Sequence, residues 1–206
     1  MNFACVCYGN KYSIEYVQKL YNMVQRHTTL EHNFFIFTDN MEMEIDGHVN
    51  IRTFPMVNLQ GWWNKMQLFH PGVLEGTTLY MDLDVVITGN IDCFFTQEPE
   101  ADFVGMNDFN PDTKIFNSSI FRFEPEAMKD KLWQPFINDR EKWLRYSGDQ
   151  NVISEVIMKH PETKSFPDSW TQSYKWHDRK GQRYHKGKWT FEHNGESLVT
   201  VFHGEP

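Results

Sequence analysis

The stretch Thr77-Thr78-Leu79-Tyr80-Met81-Asp82-Leu83-Asp84-Val85-Val86-Ile87 decides the reading of this chain. Apolar residues lead in and out, and two carboxylates interrupt the run. A β-rich apolar run of this length is expected to form one strand buried on both faces. Alternation along a strand then places Asp82 and Asp84 on the same side. Two bare carboxylates side by side in an apolar setting repel each other and are costly to desolvate. A divalent cation between them and an anionic ligand would remove that cost. The plainer alternative is a strand end, with both acids in water and Gly89-Asn90 making the turn.

Working backwards, Asn2 to Tyr8 reads as a first strand broken by Gly9-Asn10. Ser13 can cap a helix with an Ile14, Val17, Leu20, Tyr21, Val24 stripe. Asn33 to Thr38 is a second strand ending in Asp39-Asn40, and Val49 to Phe54 a third, closed by Pro55. This β-α-β-β opening predicts a doubly wound α/β sheet. In such sheets ligands gather at the carboxyl ends of the strands. Tyr8-Gly9, Thr38-Asp39 and Asp82-Leu83-Asp84 all fall at such ends. Gly61 to Phe69 reads as a short helix whose one cation, Lys65, is either a solvated lysine or a partner for a phosphate or for Asp82.

Working forwards, Ala101 to Met106 is another strand. Lys114 to Phe123 is a further one, with Asn117, Ser118 and Ser119 in its middle. Those small polar side chains let a ligand approach the backbone, unless they mark a bulge or turn. Glu124 to about Tyr146 is expected to be helical, broken or kinked by Pro135. Ser147-Gly148-Asp149-Gln150 opens a second helix over Asn151 to Lys159, with Asp149 an N-cap on its own merits. Pro161 to Lys188 is polar, aromatic and irregular, a composition that suits either a packed cover or stacking on sugar rings. Ser197 to Phe202 is a last strand.

The 206 residues suffice for one domain. A net charge of −8 counts against nucleic acid as a partner, because no basic surplus exists to displace counterions. Three cysteines, two of them only two residues apart at Cys5 and Cys7, read as buried free thiols in a reducing compartment. No leader or membrane span is evident. A soluble cytoplasmic protein is expected.

Taken together, these residues resemble glycosyltransferases of the GT-A fold, most closely family 8, the group of glycogenin and bacterial lipopolysaccharide glycosyltransferases. The resemblance covers nearly the whole chain. It rests on Leu79-Tyr80-Met81-Asp82-Leu83-Asp84, Phe116-Asn117-Ser118-Ser119, Gly148-Asp149-Gln150 and Val201-Phe202-His203-Gly204, in the family's order. It implies a single Rossmann-like α/β domain, a mainly parallel mixed sheet flanked by helices with an irregular aromatic C-terminal segment. Residues 1–90 would form the nucleotide-binding half and 91–206 the donor-sugar and acceptor half.

The resemblance further implies Mn2+, or Mg2+, held by Asp82, Asp84 and His203 on the diphosphate of a nucleotide sugar, UDP being the commonest. Tyr8, Gly9, Tyr12, Thr38, Asp39, Leu83 and Gly204 would complete the nucleotide site, with Lys65 beside the phosphates. Asn117, Ser118, Ser119, Asp149 and Gln150 would face the donor sugar. Asp149 and Gln150 are the catalytic candidates, and the transfer to a glycan or other hydroxyl acceptor leans towards retention. A compact chain of this kind suggests a bacterial or viral source. The family usually reads Asp-Gln-Asp where this chain has Asp149-Gln150-Asn151, and its terminal motif is longer than His203-Gly204-Glu205-Pro206. Two rival readings are a haloacid dehalogenase-like phosphohydrolase, on Asp82-Leu83-Asp84-Val85-Val86, and a non-catalytic sugar-binding module.

Overall fold

The computed structural model describes residues 1–56, 58–177, 182–183 and 191–203. Its main sheet contains β1 (Asn2–Cys7), β2 (Asn33–Thr38), β3 (Asn50–Arg52) and β4 (Thr78–Met81). A second, small sheet begins with β5 (Val85–Ile87). The main sheet then resumes with β6 (Phe103–Asn107), β7 (Phe116–Phe123) and β8 (Thr163–Ser165). β9 (Thr171–Ser173) and β12 (Val199–Val201) complete the small sheet, and β10 (Trp176–His177) pairs antiparallel with β11 (Gln182–Arg183).

The seven strands of the main sheet run in the order β3-β2-β1-β4-β7-β6-β8. β3, β2, β1 and β4 are mutually parallel; β7 is antiparallel to both its neighbours, and β8 is parallel to β6. Every strand but β7 therefore points the same way, so Gly9, Asp39, Asp82 and Asp108 all emerge on one edge. β7 enters at that edge, bringing Asn117 and Ser118 with it.

Alternation along the strands feeds two cores. Phe3, Cys5, Leu79 and Met81 face the helix Ile14–His27, whose Val17, Leu20, Tyr21 and Val24 are buried, while Ile14 at its start is exposed. Ala4, Tyr80, Phe121 and Phe123 face the other way, onto Met66, Phe69, Phe136 and Ile153. Ser13 stands at the N-cap of Ile14–His27 but makes no side-chain capping bond. All three thiols are free, with Cys5 and Cys7 in the first core.

Two sequence expectations need correction. The Leu79–Ile87 run is not one strand: β4 stops at Met81, the chain turns through Asp82-Leu83-Asp84, and β5 belongs to the other sheet. The acids force this break, since a strand buried on both faces would desolvate both charges. β12 likewise joins the small sheet, pairing with β5 and β9. The expected helix from Glu124 to Tyr146 is Pro125–Met128, a wide π turn over Lys129–Trp133, Gln134–Asn138, a break at Asp139, then Arg140–Trp143. Pro135 lacks the N–H that would bond one turn back, so the helix widens just ahead of it. The indole of Trp143 then donates to the Pro135 carbonyl at 3.0 Å, clasping the two pieces. Among the described residues no helix is long and apolar enough to cross a membrane.

Candidate active site

Asp82 leaves β4 with its N–H donating to the Ser119 carbonyl at 2.9 Å, which locks it beside β7. Its carboxylate accepts from the Tyr80 hydroxyl at 2.5 Å and lies 3.0 Å from Lys65 Nζ. Lys65 comes from the 3-10 helix Gly61–Phe69 and is buried. Its ammonium also lies 3.3 Å from Asp149 Oδ2 and donates to the Ser118 carbonyl at 3.0 Å and to its hydroxyl at 3.2 Å. Burial alone would pull this amine down, but Asp149 and then Asp82 outweigh it, so Lys65 holds its proton more firmly than usual. Lys65 is thus not a solvated lysine, and its donors are committed inside the protein.

Asp84 is less well served. Its Oδ2 accepts from the Tyr12 hydroxyl at 2.8 Å, whereas its buried Oδ1 has no hydrogen-bond partner. Burial pushes the Asp84 carboxyl up, and neighbouring Asp82 adds to that, against a smaller opposing pull from the Tyr12 bond. Burial, followed by Asp84, raises the Tyr12 phenol as well, keeping it a donor. A buried carboxylate oxygen beside a second carboxylate fits a divalent cation. Two carboxylates suit Mn2+ or Mg2+, and an added imidazole tilts the choice towards Mn2+.

His203 lines the same cleft as Asp82 and Asp84, a space of about 520 Å3. Its Nε2 is 2.8 Å from the Ser173 hydroxyl and its ring stacks on Phe109, with centroids 5.3 Å apart. Among the described residues, no three His, Cys, Asp or Glu side chains are already gathered for a metal ion.

Asp149 is the first helical residue of Asp149–Ile157, with Gly148 at the cap position, so it does not act as the N-cap. Its side chain instead turns inwards to Lys65. Gln150 accepts from the Ser118 N–H at 3.2 Å and donates to Asp108 Oδ2 at 3.1 Å. Asn117 donates to the same oxygen at 3.4 Å and accepts from the Ser119 N–H at 3.0 Å. The pairing of β6 with β7 slips between Gly105 and Met106, and Asn117, Ser118 and Ser119 all line the cleft.

On the other side of Lys65, Tyr8, Tyr12, Asp82, Leu83 and Asp84 share a second recess of about 250 Å3. Asp39 accepts from the Gly9 N–H at 3.1 Å, tying the exits of β1 and β2 together. Gly9 sits at φ +63°, a conformation that favours glycine. Thr38 is buried beneath them, its hydroxyl accepting from the Asn40 N–H at 3.0 Å. Gly204, Tyr184, His185, Lys188 and Trp189 lie outside the described residues.

Among the cleft residues that sequence reasoning passed over are Lys11, Trp62 and Asp108. Asp108 follows β6 as Asp39 follows β2, so the strand-exit rule carried one strand further would have found it. Lys11 lies two residues beyond the Gly9 break. Trp62 is 58% exposed at the cleft mouth, and no sequence signal separates it from its core neighbour Trp63.

Several solved structures with the same architecture are glycosyltransferases. An active-site mutant of LgtC matches with a TM-score of 0.67 and 12% identity over 100% of this chain and 88% of that one. The galactosyltransferase LgtC in complex with donor and acceptor sugar analogs matches at 0.64 and 12%, over 99% and 87%. Apo mouse xyloside xylosyltransferase 1 matches at 0.62 and 15%, over 98% of both chains. No family model and no curated protein matches the sequence. The fold is the mixed, mainly parallel α/β architecture of GT-A glycosyltransferases.

Proposed function

We propose that this chain is a metal-dependent glycosyltransferase of family 8 type, a single domain moving a sugar from a nucleoside-diphosphate sugar, foremost a UDP-sugar, to a hydroxyl of a glycan or other acceptor. The observation that carries the reading is the Asp82–Asp84 pair at the carboxyl edge of the parallel strands, with Asp84 Oδ1 buried and unpartnered. The phosphohydrolase alternative puts such a pair at the end of the first strand, whereas here it follows β4.

Asp82, Asp84 and His203 would hold Mn2+ or Mg2+, which supplies Lewis-acid stabilisation of the departing diphosphate. Residues 1–90 take the nucleotide: the recess beside Tyr8, Gly9, Tyr12, Thr38 and Asp39, which Leu83 also lines, receives base and ribose, and Gly204 is assigned to the same site. Lys65 balances Asp82 and Asp149, and exposed Lys11 offers a cation to the phosphates. Residues 91–206 take the donor sugar, against Asn117, Ser118, Ser119, Asp149 and Gln150.

Retention is favoured by how the carboxylates are tied. An inverting transferase needs a carboxylate general base open to the acceptor hydroxyl. Asp149 is buried against Lys65, and both Asp108 oxygens accept hydrogen bonds from this cleft's own loops. Gln150, held between Ser118 and Asp108, is then oriented towards the sugar instead.

Calorimetric titration of UDP, with GDP as control, tests this with and without Mn2+. The expected result is UDP binding that requires the metal and vanishes in Asp84→Ala, while that variant's circular dichroism stays native. Metal-independent affinity, or unchanged affinity in the variant, would overturn the metal assignment.

A further inference from the structure

Next to Tyr12 lies a groove of about 650 Å3 that shares Lys11, Tyr12, Leu83 and Asp84 with the nucleotide and metal positions above, while the rest of its lining has no role there. One wall is the helix Ile14–His27, which presents Tyr16, Lys19, Met23 and Arg26 at helical spacing on a single face. The other is the small sheet, with Val86 of β5 and the stacked rings of Tyr174 and Phe202, centroids 4.7 Å apart.

Two features separate this groove from ordinary surface. Nine large apolar side chains are exposed among the described residues, and four of them line it: Tyr16, Val86, Tyr174 and Phe202. Its rim also carries Lys11, Lys19, Arg26 and Lys175, in a chain whose net charge is −8. The acids nearby are Glu15, 3.7 Å from Lys19, and Asp84 at the inner end. Sites of this size that are apolar with a few placed polar groups suit small molecules. Cations on an apolar wall select an anion attached to an apolar body, because each half of such a ligand finds its complement.

We propose that this groove binds an anionic amphiphile: an apolar or aromatic body lies along Met23, Val86 and Phe202, and a phosphate or carboxylate meets Lys19, Arg26 and Lys175. Resting on the transferase reading, the occupant is the acceptor's carrier, since the groove opens onto Asp84.

The test uses the full chain and dodecyl phosphate below its micellar concentration, followed by calorimetry. Dodecyl maltoside and inorganic phosphate are the controls for tail alone and anion alone. Dodecyl phosphate should bind at least tenfold tighter than either control. The charge variant Lys19→Glu/Arg26→Glu and, separately, Val86→Glu should each weaken it at least tenfold. All three positions are exposed, and Lys19→Gln/Arg26→Gln provides a milder pair with the same expected direction. Equal binding of the maltoside, indifference to these variants, or displacement by UDP with Mn2+ would overturn the proposal. The UDP titration on the same samples keeps the two readings apart. Dodecyl phosphate binding without binding of either UDP or GDP sinks the transferase and leaves the groove as an amphiphile site; nucleotide binding without dodecyl phosphate binding sinks the groove alone.

Discussion

Lys65 shows how one side chain sets a site. A charge buried this deeply survives only if its partners repay the lost hydration, and here Asp82, Asp149 and Ser118 do so together. Removing the amine leaves two carboxylates in a space with little water. Lys65→Ala should therefore destabilise the fold by about 3–5 kcal/mol, measured by urea denaturation. Lys65→Met/Asp149→Leu should recover a large part of that loss, because the orphaned charge leaves with its partner. A single variant as stable as the native chain would mean that the cluster is not what holds the two acids in place. Asp84 differs in having no cation beside it: its buried Oδ1 has no hydrogen-bond partner in the protein, whereas Asp149 Oδ2, also without a hydrogen bond, lies 3.3 Å from the Lys65 ammonium.

Among the elements, the slipped pairing of β6 against β7 brings Asn117, Ser118 and Ser119 to the cleft. Gly105 stands at the slip, and a Cβ there would come within 2.8 Å of the Phe116 ring. Phe116 is buried among Phe103 and its neighbours and has little room to move. Gly105→Ala should cost about 1–3 kcal/mol in denaturant unfolding and displace Asn117. A neutral substitution would show that the strand can shift as a unit. At the other end of the helix Ile14–His27, Asp92 fastens the chain: it accepts from the Thr28 and Thr29 hydroxyls at 2.5 and 2.6 Å and from the Thr29 N–H at 3.0 Å. Its slight burial works the other way, but these bonds and one from Asn90 hold its carboxyl down at about 2. A folded value below the unfolded one means a contribution present above the ordinary carboxylate range and lost as pH falls from about 4 towards 2. Asp92→Asn should flatten the fall in Tm across that window. An unchanged slope would show that this loop does not report on folding.

For the whole molecule, ligand linkage gives a readout independent of turnover. A ligand bound only by the folded state at a hundred times its Kd stabilises by about 2.7 kcal/mol. For a chain of this length that is a Tm rise of roughly 5–10 °C. UDP with Mn2+ should produce such a rise, EDTA should abolish it, and GDP should produce less. A rise that survives EDTA would place nucleotide binding outside the two acids. Much of this architecture was legible beforehand. Alternation and turn residues marked β1, β2, β6 and β7, and parallel order alone required that Gly9, Asp39 and Asp82 share an edge. The interruption at Asp82-Leu83-Asp84 was read as chemistry within a strand, when it is also the point where the chain passes from one sheet to the other. Apolar character is the same in either sheet, so the composition of Val85-Val86-Ile87 or of Val199-Thr200-Val201 carries no record of its partner strand. The sequence by itself determined which residues had to be buried and which could not be left bare, because desolvation acts on each residue type wherever it lies. Only the tertiary structure decided that Lys65 would join Asp82 to Asp149, that Asp108 would bind Gln150, and that Tyr16, Val86 and Phe202 would form one groove. Those partners lie between 17 and 186 residues apart, and packing alone chooses among distant partners of equal chemistry.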